Sequence, residues 1–183
     1  VAWLLNIRGF DNPNSPIPNS RLIISDKKEV FLIAKNEKVK KIIREGKIKK
    51  KQIVEPQNFG NFVKKLRKGK IIIDKKSCSI FFENLLKENL IINNIEDPIY
   101  FLKSIKTNNE INFMIKSHIQ DGVALTKFLY WIKKVNKKKI TEFDAQNKLE
   151  KFRKQNKSYL FPSFNTIAGS GKNGAIVHYR ASK

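Results

Sequence analysis

The sequence holds two histidines, His118 and His178, and one cysteine, Cys78, so acid–base or nucleophilic chemistry has few groups to draw on. An imidazole can exchange a proton near neutral pH or donate a hydrogen bond to developing negative charge, so each histidine's surroundings decide its candidacy. Neither lies in H-E-x-x-H or another short metal-binding spacing, and the 16 Asp and Glu residues are scattered without grouping into a metal cage. His118 shares a helical stripe with Ile115 and Ile119, with Asp121 following closely, which predicts a packed or paired helix residue. His178 lies in a β-branched run after a glycine turn and is followed by Tyr179 and Arg180. Spacing alone leaves His178 open between a plain strand residue, the commoner case, and a functional one. Cys78 stands at the start of an apolar helical pattern, where burial is expected. A lone cysteine forms no intrachain disulfide and no thiolate cluster, which fits a reducing cytoplasm.

The run Gly169-Ser170-Gly171-Lys172-Asn173-Gly174 spells G-x-G-x-x-G, the pattern that holds a dinucleotide pyrophosphate at a helix N-terminus. Its context does not suit that chemistry, because the loop opens into the strand-like AIVHY and no acidic residue follows. A P-loop is excluded too, since Thr166 stands where its first glycine belongs and Asn173 where its hydroxyl belongs. The sequence therefore predicts a hairpin turn closed by Asn173-Gly174, with a strand on either side.

The elements that position these groups follow from the apolar periodicity. AWLLNI, RLIIS, EVFLIA, QIVEP, KIIID and LIINNI read as strands, and Asp26-Lys27-Lys28 reads as the turn between the second and third of them. NEKVKKIIREGK, ended by Gly46, FGNFVKKLRKG, closed by Gly69, and CSIFFENLLKEN read as helices. Alternating strands and helices predict an α/β layer with a mixed sheet over residues 1–100. The pattern changes near Asp97-Pro98, and IYFLKSIK leads to Thr107-Asn108-Asn109, whose polar side chains are placed to cap a long helix from Glu110 to about Lys134. A second helix starts at Thr141, with Asp144 completing a capping-box variant, and presents Phe143, Leu149 and Phe152 to a core.

With 40% hydrophobic residues the chain can bury a core, and no apolar run approaches the length of a membrane span. The net charge of +22 raises nucleic-acid binding as a hypothesis. Lysine carries that excess, with only six arginines among 38 basic residues, and the aromatics fall at apolar helix positions instead of interleaving with the basic runs. A solvated surface in a composition biased to Lys, Ile and Asn explains the charge without a nucleic-acid partner.

Several stretches taken together resemble one family. Asn108-Asn109-Glu110-Ile111, then Ser117-His118-Ile119-Gln120-Asp121-Gly122-Val123-Ala124-Leu125, with Lys127-Phe128-Leu129 and Trp131, resemble the first long helix of the Xaa-Pro aminopeptidase (aminopeptidase P) catalytic domain. Thr141-Glu142 through Leu149-Glu150 to Phe152-Arg153 resembles its second helix. Ser163-Phe164-Asn165-Thr166-Ile167, followed by Gly171, Asn173-Gly174-Ala175-Ile176-Val177 and His178-Tyr179, resembles the segment leading into that family's active site. Upstream, Ala2-Trp3-Leu4-Leu5-Asn6-Ile7-Arg8-Gly9 with Asp11 and Pro16 resembles its middle domain.

The resemblance implies an internal fragment of a creatinase/prolidase-like, pita-bread metallopeptidase. Residues 1–100 would be most of a creatinase-like α/β middle domain, incomplete at its N-terminus. Residues 101–183 would be the first helices and strands of an α+β pita-bread catalytic domain, incomplete at its C-terminus. It further implies a cytoplasmic homodimer that releases the N-terminal residue from peptides with proline in second position, using a pair of divalent ions, usually manganese. His178 would be the catalytic, substrate-binding histidine near the scissile bond. The family's aspartate, histidine and glutamate metal ligands would all lie beyond Lys183, so the fragment alone is expected to bind no metal and to be inactive. Arg8 would be structural or would border the substrate channel, the structural role being favoured. A pita-bread relative retained for binding, without peptidase activity, is the alternative; a basic nucleic-acid binder is the remaining one.

Overall fold

The structure, a computed structural model, describes residues 1–182 and divides into two units, Val1–Ile105 and Lys106–Lys183. In the first unit, strand β1 (Arg21–Ile24) pairs antiparallel with β2 (Val30–Ile33), and β2 pairs parallel with β3 (Ile53–Val54). The mixed pairing expected for this half is therefore present. Strands β4 (Gly69–Ile73) and β5 (Leu90–Asn94) form a second, separate parallel pair, in register from Gly69–Leu90 to Ile73–Asn94. The expected single sheet is thus two small ones.

Strand β2 explains why VFLI is apolar throughout. Side chains alternate faces along a strand, so Leu32 and Ile33 point to opposite sides. Leu32 joins Ala34, Val39 and Ile48, under helix α1 (Asn36–Arg44), while Ile33 joins Val54, Phe59, Val63 and Leu86. The second cluster is built by α2 (Phe59–Lys65) and α3 (Ile80–Lys87). A central strand covered on both faces needs an unbroken apolar run.

Three expectations for this unit are corrected. AWLLNI is not a strand: Leu5 N–H donates to Val1 O at 3.0 Å and Ile7 N–H to Ala2 O at 3.0 Å, so its backbone is satisfied in local turns. Gly69 does not close α2, which ends at Lys65, where the Asn89 side chain donates to Val63 O at 3.0 Å and Leu66 O at 2.8 Å. Those bonds satisfy carbonyls that a helix end leaves open, and they release Gly69 into β4. Cys78 precedes α3 and is only half-buried; partial desolvation, then the nearby Glu83 carboxylate, raises its thiol pKa.

The stretch after Asp97 is itself a helix, α4 (Pro98–Ser104), with Asp97 capping it by accepting from Ile99 N–H at 2.9 Å and Pro98 at its first position. Asp74, buried at the end of β4, accepts from Lys76 N–H at 2.9 Å and Asp97 N–H at 3.2 Å. It ties the two strand ends of this pair together.

The second unit begins with α5 (Asn108–Lys134), two residues before the expected start, and of Thr107-Asn108-Asn109 it is Thr107 that caps it. Thr107 Oγ1 accepts from Glu110 N–H at 3.3 Å, and the Glu110 carboxylate accepts from Thr107 N–H at 2.8 Å. Thr107→Ala is expected to lower the stability of this unit by about 1 kcal/mol, with Thr107→Ser close to wild type, as read by urea denaturation. Helix α6 (Glu142–Arg153) is capped in the same way by Thr141 and Asp144, at 3.1 and 2.9 Å. Asp121 on α5 receives both Nε and Nη2 of Arg153 at 2.6 and 3.0 Å, Gln120 meets Asn156, and Lys148 lies over Trp131. Contact positions rise along α5 as they fall along the partner segment, so the helices run antiparallel. Leu149 is buried and Phe143 and Phe152 are half-buried on α6, matching its expected core face. On α5, Ala124 alone is buried among the described residues, and Ile115, Ile119, Val123 and Leu129 stay exposed.

Candidate site around His178

The segment after Pro162 forms no strand among the described residues, which corrects the expected hairpin and removes His178 from a strand. Instead Gly171–Ala175 makes a short 3₁₀ turn, with Asn173 N–H donating to Ser170 O at 3.2 Å and Ile176 N–H to Asn173 O at 3.1 Å. The β-branched AIV run has no neighbouring strand to pair with, and strand propensity acts mainly through such pairing. Gly169 is required by close packing: a Cβ there would sit 2.8 Å from Asn173 O and 3.1 Å from Gly174 Cα.

His178 lies at the exposed end of this loop with φ +55, in the left-handed region. Histidine adopts that region more readily than most side chains do. Asn6 and Lys28 share such a φ in ordinary turns, so the conformation alone does not mark a site. The neighbouring residue sets His178 apart. Tyr179 turns inward, its backbone N–H donating to Ile176 O at 3.3 Å and its hydroxyl to a Glu142 carboxylate oxygen at 2.6 Å. That same oxygen accepts from Asn173 Nδ2 at 3.0 Å, and the other accepts from Ser170 N–H. Asn173 Nδ2 also reaches the Tyr179 oxygen at 3.1 Å.

Glu142, at the first turn of α6, thus gathers three points of the loop onto one half-buried carboxylate. The Tyr179 hydroxyl, then the Ser170 amide, hold its carboxyl below the usual carboxylate range, while the carboxylate raises the Tyr179 pKa. A carboxyl whose folded pKa is depressed supports the structure above its ordinary pKa and loses that support as pH falls through the folded value. The loop is therefore held from neutral pH down through mildly acidic conditions and is released in stronger acid.

The other residues that the sequence marks as candidates fall elsewhere and do not join His178. His118 is exposed on α5, with Nδ1 against the Met114 carbonyl at 2.9 Å, and the neighbouring Asp121 pairs with Arg153 instead. Arg8 is exposed and donates to Ile7 O at 3.0 Å. Among the described residues no three His, Cys, Asp or Glu side chains converge to hold a metal ion, so the residues present do not make a metal centre. A groove between α5 and α6, lined by Thr126, Lys127, Tyr130, Trp131, Lys134 and Phe152, holds neither a carboxylate nor a histidine. What the sequence leaves unmarked is the pairing of Glu142 with Asn173 and Tyr179; a carboxylate at a helix start and a tyrosine beside the candidate histidine are its visible signals.

Residues 1–110 match the family model for the creatinase/prolidase N-terminal domain, and residues 112–183 match metallopeptidase family M24. The chain is 34% identical to the Xaa-Pro aminopeptidase ApepP of Drosophila melanogaster over 190 residues, covering 100% of this chain and 31% of that protein. It is 32% identical to Xaa-Pro aminopeptidase 1 of Dictyostelium discoideum over 193 residues, covering 98% of this chain and 29% of that one. A prolidase from Pyrococcus furiosus shares the fold, with a TM-score of 0.54 at 21% identity, over 82% of this chain and 43% of the other. The chain thus spans about 30% of the length of the curated relatives it matches.

Proposed function

The chain belongs to the creatinase/prolidase family, and from that premise we propose that the whole protein is an Xaa-Pro aminopeptidase, a metal-dependent exopeptidase that releases the N-terminal residue from peptides with proline in second position. The observation that carries this is alignment of essentially the full chain, in order, with Xaa-Pro aminopeptidases from two distant organisms. In this proposal residues 1–100 belong to the middle domain and 101–183 to the catalytic domain. The divalent ions, manganese for preference, are held by residues outside this chain; when bound they would supply an activated water and polarise the peptide carbonyl. The protein would act as a homodimer in the cytoplasm, and this chain alone would be inactive.

The contribution of this chain to the chemistry is His178. Its imidazole is exposed and makes no hydrogen bond among the described residues, so it is free to meet a substrate. It would donate a hydrogen bond to the scissile carbonyl oxygen, where negative charge builds during attack. Donors already in place contribute most at that stage, because they need no reorganisation.

The test is direct. Full-length protein supplied with Mn²⁺ is expected to release the first residue from a peptide with proline second and to leave the same peptide with alanine second nearly untouched. Release from neither peptide, or equal release from both, would count against the assignment.

A further inference from the structure

We propose that Glu142, acting through Tyr179 and Asn173, is the positioning residue that sets the orientation of His178 toward substrate. This deepens the function just proposed and rests on it. His178 has no tether of its own among the described residues, so its direction is inherited from the backbone on either side. On its C-terminal side Tyr179 is fastened by its hydroxyl to Glu142 at 2.6 Å. On its N-terminal side Asn173 is fastened to the same carboxylate oxygen at 3.0 Å, and Ser170 to its partner oxygen. One carboxylate therefore brackets the turn that carries the imidazole.

The geometry also explains why the carboxylate sits at the start of a helix. Thr141 and Asp144 fix the first turn of α6 through their own reciprocal bonds, at 3.1 and 2.9 Å, so Glu142 departs from a rigid point. Asp144 completes the capping box, and Glu142 is left to face the loop. The Tyr179–Glu142 bond is charge-assisted, and such bonds are shorter and stronger than neutral ones. The lowered Glu142 pKa and the raised Tyr179 pKa agree with a neutral phenol donating to an ionised carboxylate.

The experiment is a mutant cycle in the full-length protein with an Xaa-Pro peptide. Tyr179→Phe keeps the ring and removes the donor; Glu142→Gln keeps the shape and removes the charge. Each is expected to lower kcat about 10–100-fold with KM within about twofold, since a misplacement near 1 Å has effects of that size. In a His178→Ala background the same changes are expected to have no further effect, because there is no imidazole left to orient. Wild-type kcat in both variants would overturn the proposal. So would equal losses with and without His178, which would mark the contacts as merely structural. Failure of the parent assignment shows separately, as wild-type protein that does not distinguish proline from alanine peptides.

Discussion

Replacing His178 by alanine in the full-length protein is expected to lower kcat on an Xaa-Pro peptide by about 10²–10³-fold, the loss found when one donor to a developing oxyanion is removed. KM should move far less, because the interaction strengthens as charge develops and contributes little to the bound ground state. Alanine also fits the left-handed backbone at this position (φ +55) less well than histidine does. His178→Asn separates the two effects, since asparagine tolerates that conformation and lacks the imidazole. It is expected to be as slow as the alanine variant. His118→Ala should leave turnover near wild type, because that ring is occupied with its own helix carbonyl at Met114. A His178→Ala enzyme with unchanged kcat would remove this residue from the chemistry.

The largest stability effect is expected at Phe59. Its side chain is 4% exposed, stacks on Phe62 at 6.4 Å and meets the edge of Phe82 at 5.1 Å, while Arg21 caps the Phe82 ring at 4.0 Å. Removing the ring leaves a cavity between β2, β3, α2 and α3 that several aromatic neighbours cannot fill without leaving their rotamers. Phe59→Ala is therefore expected to destabilise the first unit by about 3–5 kcal/mol in urea denaturation. Phe113 on α5 is 69% exposed and provides the comparison, with Phe113→Ala expected within about 0.5 kcal/mol of wild type. Equal effects at the two positions would contradict the placement of the core.

Most of the regular elements are legible because their signals are local. Thr141 precedes a carboxylate by three residues and its cap forms as expected, while of Thr107-Asn108-Asn109 it is Thr107 that caps α5. The all-apolar VFLI, the Asp26-Lys27-Lys28 turn and Gly46 after α1 also behave as their types dictate. Where the sequence misleads, the deciding partner lies far away. AIV has strand propensity, yet propensity needs a neighbouring strand, and the 3₁₀ turn prevails with Glu142 fastening it from 31 positions upstream at Asn173 and 37 at Tyr179. The end of α2 escapes a local reading for the same kind of reason, because Asn89 supplies its terminal bonds from the start of the β5 segment. Asp97-Pro98 is the exception, a local signal for a helix start: a cap followed by the residue best suited to a helix's first position.

His178 stands out in the sequence, whereas its support does not. A carboxylate accepting from a backbone amide, a side-chain amide and a phenol is invisible until the loop is folded back onto α6, because none of the three donors is near it in the chain. The apolar stripe of α5, including Ile115, Ile119 and Val123, is equally plain in the periodicity, but its exposure is not, since periodicity marks a face without saying what covers it.

The most direct measurement is a crystal structure of the full-length protein holding a non-hydrolysable transition-state mimic of an Xaa-Pro peptide, read at one distance. The expected result is His178 Nε2 or Nδ1 about 2.7–3.1 Å from the oxygen that stands in for the scissile carbonyl, the span of a working oxyanion donor. A His178 ring turned to solvent, with the mimic bound elsewhere and another group donating to that oxygen, would contradict the central claim.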